Sequence, residues 1–276
     1  MKSGFDGTSE MTEHGNAIME AQNIYLSFGA LPVLNDISID VREKEILAII
    51  GPNGAGKTSL LNVLSGFYKA QSGSVFFNGQ DITFKPTHKR PYLGISRTFQ
   101  NIELYEGLTS VENLMAGRHS VMTHGIISGA IFFGRARSME IRHRKEVEEI
   151  IDFLEMESIR DTPARFLTYG QRKKVDLGRA LASNPKLLLL DEPMAGMNQD
   201  EKEDITRFVL DINSVWGIPV VLVEHDMGVV MDISDRVVVI NFGIKIADGT
   251  PDEIKTNPRV HEAYLGSSDI YKSSKL

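Results

Sequence analysis

Gly51–Ser59 reads GPNGAGKTS and comes directly after the apolar run Ile46-Leu-Ala-Ile-Ile50. The stretch fits GxxxxGK[ST] in the strand–loop–helix setting that this motif requires. Its residues Gly51, Pro52, Asn53, Gly54, Ala55, Gly56, Lys57, Thr58 and Ser59 form a loop whose backbone N–H groups can turn inward around a phosphate chain. Lys57 brings a positive charge to the outer phosphates, and Thr58 offers a hydroxyl to Mg2+. A helix starting near Lys57 adds the partial positive charge of its N-terminus at the same point. Leu60, Leu61 and Leu64 then recur at helical spacing, and Gly66 stops the run. The reading is a site for a nucleoside triphosphate, with the use of its energy left open.

Working outward, the 276 residues amount to one large or two small domains. A hydrophobic content of 42% supplies a substantial core, and a net charge of −7 argues against broad electrostatic binding to nucleic acid or anionic lipid. With no cysteine, disulfide and thiolate chemistry are excluded. The polar N-terminus, with Asp6, Glu10 and Glu13, lacks the basic and apolar blocks of a signal peptide. The longest apolar candidate, GIISGAIFFG at Gly125–Gly134, falls far short of the roughly 18 residues a bilayer span needs. Any membrane role is therefore expected to need a partner.

Residues 1–17 and 267–276 read as tails around a single domain over 18–266. Within it, about 18–100 has strand character, as in Val33, Ile37, Ile39 and Val41 and in Ser74–Gly79. About 101–183 is helical, with Val147, Ile150, Ile151 and Leu154 on one stripe. About 184–266 returns to short buried strands at Leu187–Leu190, Val220–Val223 and Val237–Ile240, with a helix over Gln199–Val215. Strands alternating with helices indicate an α/β fold with a largely parallel, covered sheet.

Leu187–Leu190 ends in Asp191-Glu192. Ligand groups gather beyond the carboxyl ends of parallel strands, so Asp191 is placed to hold Mg2+ and Glu192 to orient or deprotonate a water. Val220–Val223 ends in Glu224-His225, and His225, at the next strand end, can face the same crevice. Leu167-Thr-Tyr-Gly-Gln171 opens a helix carrying Arg172, Lys173, Lys174 and Arg179. Either an anion site of exposed N–H groups or an ordinary cap with a solvated basic face fits that pattern. The amide of Gln100 suits Mg2+, water or a neighbour equally well.

Together, GPNGAGKT, Gln100, LTYGQ, LLLLDE and His225, in that order, resemble the ATP-binding subunit of an ABC transporter. The finer resemblance is to the ATPases of branched-chain (hydrophobic) amino-acid uptake systems. It is carried by Gly94–His119, Asp191–Asn198, Val223–Met227 and Asn257–Gly266. It implies a P-loop ABC ATPase core with a mainly parallel sheet, a small antiparallel β subdomain (core and β subdomain over about 18–100 and 184–266) and an α-helical subdomain over about 101–183. By the same resemblance, Phe28 stacks on adenine and Gly51–Ser59 wrap the phosphates. Thr58, Gln100 and Asp191 serve Mg2+, Glu192 is the catalytic carboxylate, and His225 contacts the γ-phosphate. Leu167, Thr168, Tyr169, Gly170 and Gln171 form a signature loop that acts on the ATP of a second subunit, a copy or a paralogue.

The sequence departs from the family pattern at Tyr169, where a glycine is usual, at Asn198, where aspartate is common, and at Lys44, in a turn usually made by glycine. If that turn needs φ > 0, Lys44 costs about 1 kcal/mol. The implied activity is ATP hydrolysis on the inner face of the plasma membrane. It would power permease subunits and, indirectly, a solute-binding protein that imports hydrophobic amino acids or related small carboxylates or amides. The rival readings are an ATPase that extracts lipid or lipopolysaccharide and a soluble ABC ATPase without transport. SRTFQN and an insertion at about Ser120–Arg137 favour uptake. Leu104, Tyr105 and Leu108 belong either to a docking surface for a membrane subunit or to the subdomain core.

Overall fold

The computed structural model describes residues 17–121 and 133–265. The expected tails, apart from Ala17, and most of the insertion expected at 120–137 lie outside these residues. Ala17 itself opens the first strand.

Two sheets organise the chain. Strands β1 (Ala17–Phe28), β2 (Leu31–Arg42), β4 (Ser72–Phe77) and β5 (Gln80–Asp81) form an antiparallel sheet in the order β2-β1-β4-β5. The second sheet has the order β10-β9-β3-β8-β7-β6. Its strands are β3 (Ile46–Ile50), β6 (Ile95–Arg97), β7 (Leu187–Asp191), β8 (Val220–Val223), β9 (Arg236–Asn241) and β10 (Ile244–Gly249). All its pairings are parallel except the hairpin of β9 and β10. Every residue of β3, β7 and β8 is buried. Covered on both faces, these strands read as unbroken apolar runs instead of alternating ones.

Side chains of β3 alternate between faces. Leu47 and Ile49 join the antiparallel sheet and Leu60, Leu61 and Leu64 of α1 (Lys57–Leu64) in one apolar cluster. On the other face Ala48 and Ile50 pack with Val237 and Val239 of β9 and with Ile254 and Val260. Those two lie on the short helices α7 (Pro251–Lys255) and α8 (Pro258–Leu265).

The helices of the middle segment are α2 (Ser110–Gly117), α3 (Phe133–Phe153) and α4 (Tyr169–Ala182). Their buried residues, among them Val147, Ile150, Ile151 and Leu154, share a cluster with Leu188, Leu190, Val220 and Leu222 of the parallel sheet. Ile205, Phe208, Val209 and Ile212 of α5 (Gln199–Ser214) complete it. The last helix of the core, α6 (Met227–Ile233), comes after β8. Lys44 has φ 57°, so the turn before β3 does hold a lysine in left-handed backbone.

Candidate functional site

Parallel pairing decides the site's location. β3, β6, β7 and β8 run the same way as neighbours in one sheet, so their C-terminal ends all open onto one edge. After β3 comes Gly51, after β7 Glu192, after β8 Glu224-His225, and after β6 the Thr98–Gln100 segment. Residues far apart in sequence thereby meet within a few ångströms.

The loop itself is held from below. A Cβ on Gly51 would stand 2.0 Å from the carbonyl oxygen of Ile240, and one on Gly56, which has φ 104°, 2.8 Å from that of Val33. Neither position admits a side chain. Ala55 N–H donates to the Pro52 carbonyl (3.1 Å), and the Ala55 carbonyl accepts from Gly243 N–H (2.9 Å). Helix α1 has no side-chain cap, whereas α2, α4, α5 and α7 each carry a capping box. Its first N–H groups are therefore left for a ligand. Buried Lys57 donates through Nζ to the carbonyls of Gly51 (2.7 Å) and Pro52 (3.0 Å). Burial pushes its ammonium below the ordinary lysine value, while Glu192 and Asp191 pull the other way.

Thr58 Oγ1 donates to Asp191 Oδ1 at 3.3 Å. The other oxygen of Asp191 accepts from Arg97 at 2.8 Å, and both side chains are buried, at 5% and 1% exposure. Burial raises the Asp191 carboxyl, and the Arg97 charge opposes that rise. Arg97 also donates to Asn62 Oδ1 and Ser65 Oγ, which ties the end of β6 to α1. Glu192 has φ 47°, a left-handed turn that directs the chain away from β7, and its N–H donates to the Val223 carbonyl at 2.9 Å. Gln100 Nε2 donates to Glu192 Oε2 at 2.9 Å. Glu224, 1% exposed, accepts from the N–H groups of Met194 (2.9 Å) and His225 (3.1 Å), and burial raises its carboxyl. The His225 ring is largely exposed, 3.8 Å from Glu224.

Two groups of expected residues stand apart from this cluster. Phe28, half exposed at the end of β1, meets Tyr68 edge-on at 5.1 Å between ring centroids. Tyr68 N–H donates to the Asn62 carbonyl of α1, so the aromatic pair flanks that helix. Leu167–Gln171 open α4 and bond internally. Thr168 Oγ1 accepts from Gln171 N–H, and Gln171 Oε1 from Thr168 N–H, a capping box that leaves Tyr169 exposed and Gly170 buried beside the Glu201 side chain. The helix behind them carries no solvated basic face. Lys173 is buried and donates to the carbonyls of Glu192 (3.1 Å) and Gln100 (3.5 Å). Lys174 pairs with Asp204, and Arg179 with Asp176.

Arg97 and Lys173 are the site residues that sequence reasoning missed. For Arg97 the available signal was a charged residue just before Thr98-Phe99-Gln100, and for Lys173 the Lys173-Lys174 pair one helical turn after Tyr169. Of the apolar trio expected near Gln100, Leu104 packs against the helical cluster while Tyr105 is 60% exposed. Among the described residues no three His, Cys, Asp or Glu side chains form a metal cage, and no helix is long and apolar enough to cross a membrane.

Comparison with known proteins gives two family matches. The ABC transporter family matches residues 34–195, and the branched-chain amino acid ATP-binding cassette transporter family matches 245–270. The chain is 37% identical over 251 residues to the high-affinity branched-chain amino acid transport ATP-binding protein BraF of Pseudomonas aeruginosa, covering 91% of this chain and 98% of that one. It is 34% identical over 254 residues to LivG of Escherichia coli, a protein of the same description, with the same coverage. Identity to the lipopolysaccharide export system ATP-binding protein LptB of Haemophilus influenzae is 32% over 250 residues, again covering 91% and 98%. Among solved structures, a nucleotide-free ATP-binding cassette from an ABC transporter is similar, with TM-score 0.78 and 34% identity, covering 90% of this chain and 99% of that one. The ADP conformation of the cassette MJ1267 is similar too, with TM-score 0.78 and 32% identity, covering 91% and 99%.

Proposed function

The chain belongs to the ABC transporter family, and on that premise we propose that it is the ATP-hydrolysing subunit of a membrane importer of branched-chain or other hydrophobic amino acids, or of related small carboxylates or amides. The observation that carries the hydrolytic part is the meeting of four strand ends. It brings Lys57, Thr58, Asp191, Glu192 and Gln100 around one phosphate-sized loop. The match over 245–270 and the identity to BraF and LivG support the solute class. Identity to the lipopolysaccharide exporter subunit is lower.

In this reading the loop amides and Lys57 bind the β- and γ-phosphates, and Phe28 stacks on adenine. The hydroxyl of Thr58 and the carboxylate of Asp191 are hard oxygens 3.3 Å apart, a donor set that fits Mg2+, which takes few protein ligands beside the phosphates. When bound, Mg2+ would neutralise charge on the phosphate oxygens. Glu192 orients and deprotonates the attacking water, held in place by Gln100, and His225 reaches the γ-phosphate. The loop Leu167–Gln171, with Tyr169 exposed, serves the ATP of a second ATP-binding subunit, so turnover needs a dimer. Tyr105, exposed beyond Gln100, faces a permease subunit. The chain then works on the cytoplasmic face of the membrane, fed indirectly by a solute-binding protein.

The test is Glu192→Gln in the assembled transporter in membrane vesicles. ATP binding should be retained, turnover should fall by about 100-fold or more, and uptake of labelled leucine, isoleucine and valine should stop. Full-rate hydrolysis in that variant would remove Glu192 from the role. A wild-type complex that hydrolyses ATP yet takes up none of the three would remove the branched-chain amino acids from the solute class.

A further inference from the structure

Three basic residues follow the Leu167–Gln171 loop on α4, and of these only Lys173 turns into the site. Arg172 donates to the Arg165 carbonyl at 3.2 Å, and Lys174 pairs with Asp204 of α5 at 2.7 Å. Lys173 is buried. Its Nζ donates to the Glu192 carbonyl at 3.1 Å and, at the limit of a hydrogen bond, to the Gln100 carbonyl at 3.5 Å. The side chains of those two residues are joined to each other, Gln100 Nε2 to Glu192 Oε2 at 2.9 Å. One ammonium therefore holds the backbone of both members of the pair. The Glu192 N–H is already bonded to the Val223 carbonyl. Glu192 is thus fixed at both its N–H and its carbonyl, and its left-handed backbone cannot relax without releasing one of them.

The same ammonium stands 5.8 Å from the centre of the Tyr169 ring, within reach of a cation–π contact. Tyr169 lies one helical turn earlier on the same face of α4. Its ring also borders the loop that follows Glu192, since a Cβ on Gly196 would stand 3.2 Å from Tyr169 Cε1. The tyrosine that replaces the usual glycine of this loop therefore covers Lys173. Burial lowers the Lys173 ammonium, while the carboxylates of Asp176, Glu224, Glu192 and Asp191 act to keep it charged.

We propose that Lys173 is a positioning residue for hydrolysis: from the helix that begins with the Leu167–Gln171 loop, it holds the backbone of Glu192 and Gln100. The proposal rests on the reading of Glu192 as the catalytic carboxylate and of that loop as serving the ATP of a second subunit. One rigid element then sets both the loop, which acts across the dimer, and the carboxylate, which acts on the chain's own ATP. When the loop engages the second subunit's ATP, α4 moves as a rod and Lys173 carries the movement to Glu192. Tyr169 is the loop's end of this link. Lys173 touches no reacting atom and acts only through the two carbonyls.

The test uses the assembled transporter in membrane vesicles and compares wild type, Lys173→Met, Lys174→Met, Tyr169→Leu and the double variant Tyr169→Leu/Lys173→Met. Thermal unfolding shows whether each is folded, and Kd for MgATP and kcat are measured. Lys173→Met keeps the length of the stem and removes the donors. Its kcat should fall about tenfold to a hundredfold, the cost of a misplaced catalytic group, with Kd within about twofold of wild type. Lys174→Met removes an equal charge from the same helix and should leave kcat within about twofold. A wild-type kcat in Lys173→Met, or an equal fall in Lys174→Met, would overturn the inference. So would a rise in Kd as large as the fall in kcat, which marks general damage to the site. Tyr169→Leu should slow turnover too, and the double variant should be at most about twofold slower than the slower single one. Fold-changes that simply multiply would overturn the link to the loop. If Lys173→Met loses its fold, Lys173→Gln, whose shorter amide cannot span the two carbonyls, must show the same split between kcat and Kd, and a wild-type kcat there overturns the inference. A wild-type complex without ATPase activity, or full-rate hydrolysis by Glu192→Gln, would instead overturn the reading on which the proposal rests.

Discussion

Asp191 uses its two oxygens for different partners, Thr58 on one and Arg97 on the other. The Thr58 contact faces the site, and the Arg97 contact is buried beneath it. Removing one member of a buried pair leaves an uncompensated charge, which costs about 3–5 kcal/mol. Arg97→Met is expected to lose that much in urea unfolding. Arg207→Met, which breaks the exposed pair with Glu155, should lose at most about 1 kcal/mol. Comparable losses in the two variants would mean that Arg97 does no more than a surface arginine. The importance of Arg97 was hidden in the sequence because its partner lies at the end of a different strand, and no local pattern connects an arginine in ISRTFQ with an aspartate in LLLLDE.

At the scale of elements, α4 and α5 meet at their N-termini. Glu201 closes the capping box of α5 by accepting from Asn198 N–H, and the same side chain lies over Gly170. A Cβ at Gly170 would stand 2.1 Å from Glu201 Oε1. Because the obstacle is the end of a flexible side chain, Gly170→Ala should displace Glu201 and cost the cap, about 1 kcal/mol. In a Glu201→Ala background the same substitution should be neutral or slightly stabilising, since alanine is the better helix former. A double-mutant cycle checks this, and strict additivity would show that the two residues do not interact. The elements that carry this geometry were legible to different degrees. LAII, LLLL and VVLV read as strands because burial on both faces forbids polar interruption. The three-residue β6 did not, since Ser96 and Arg97 are polar and their satisfaction comes from outside the strand. Helices α6 and α7, with seven and five residues, are too short for an apolar period to establish itself. The phosphate loop was fully readable because its chemistry is local.

Over the whole molecule, three apolar clusters share one sheet, and the site's charges are sunk into the edge between them. Burial raises the carboxyls of Asp176, Asp191 and Glu224. A raised folded-state value means that the folded chain binds more protons than the unfolded chain just above the ordinary carboxylate range. The stability linked to these groups is therefore fully present below the unfolded value and is lost as pH rises through the folded one. Glu224→Gln removes one such group, so the difference in Tm between about pH 5 and pH 7 should shift toward lower relative stability at the acid end. An unchanged difference would show that Glu224 titrates as it does in the unfolded chain. The left-handed backbone of Glu192 has a wider consequence. That conformation costs a residue with a Cβ about 1 kcal/mol or more, and glycine or asparagine less. On the catalytic role proposed for Glu192, a population of variants enriched only for heat resistance would drift toward those residues at position 192 and lose turnover on the way. Glutamate persists there only while each generation is judged by the work the molecule performs.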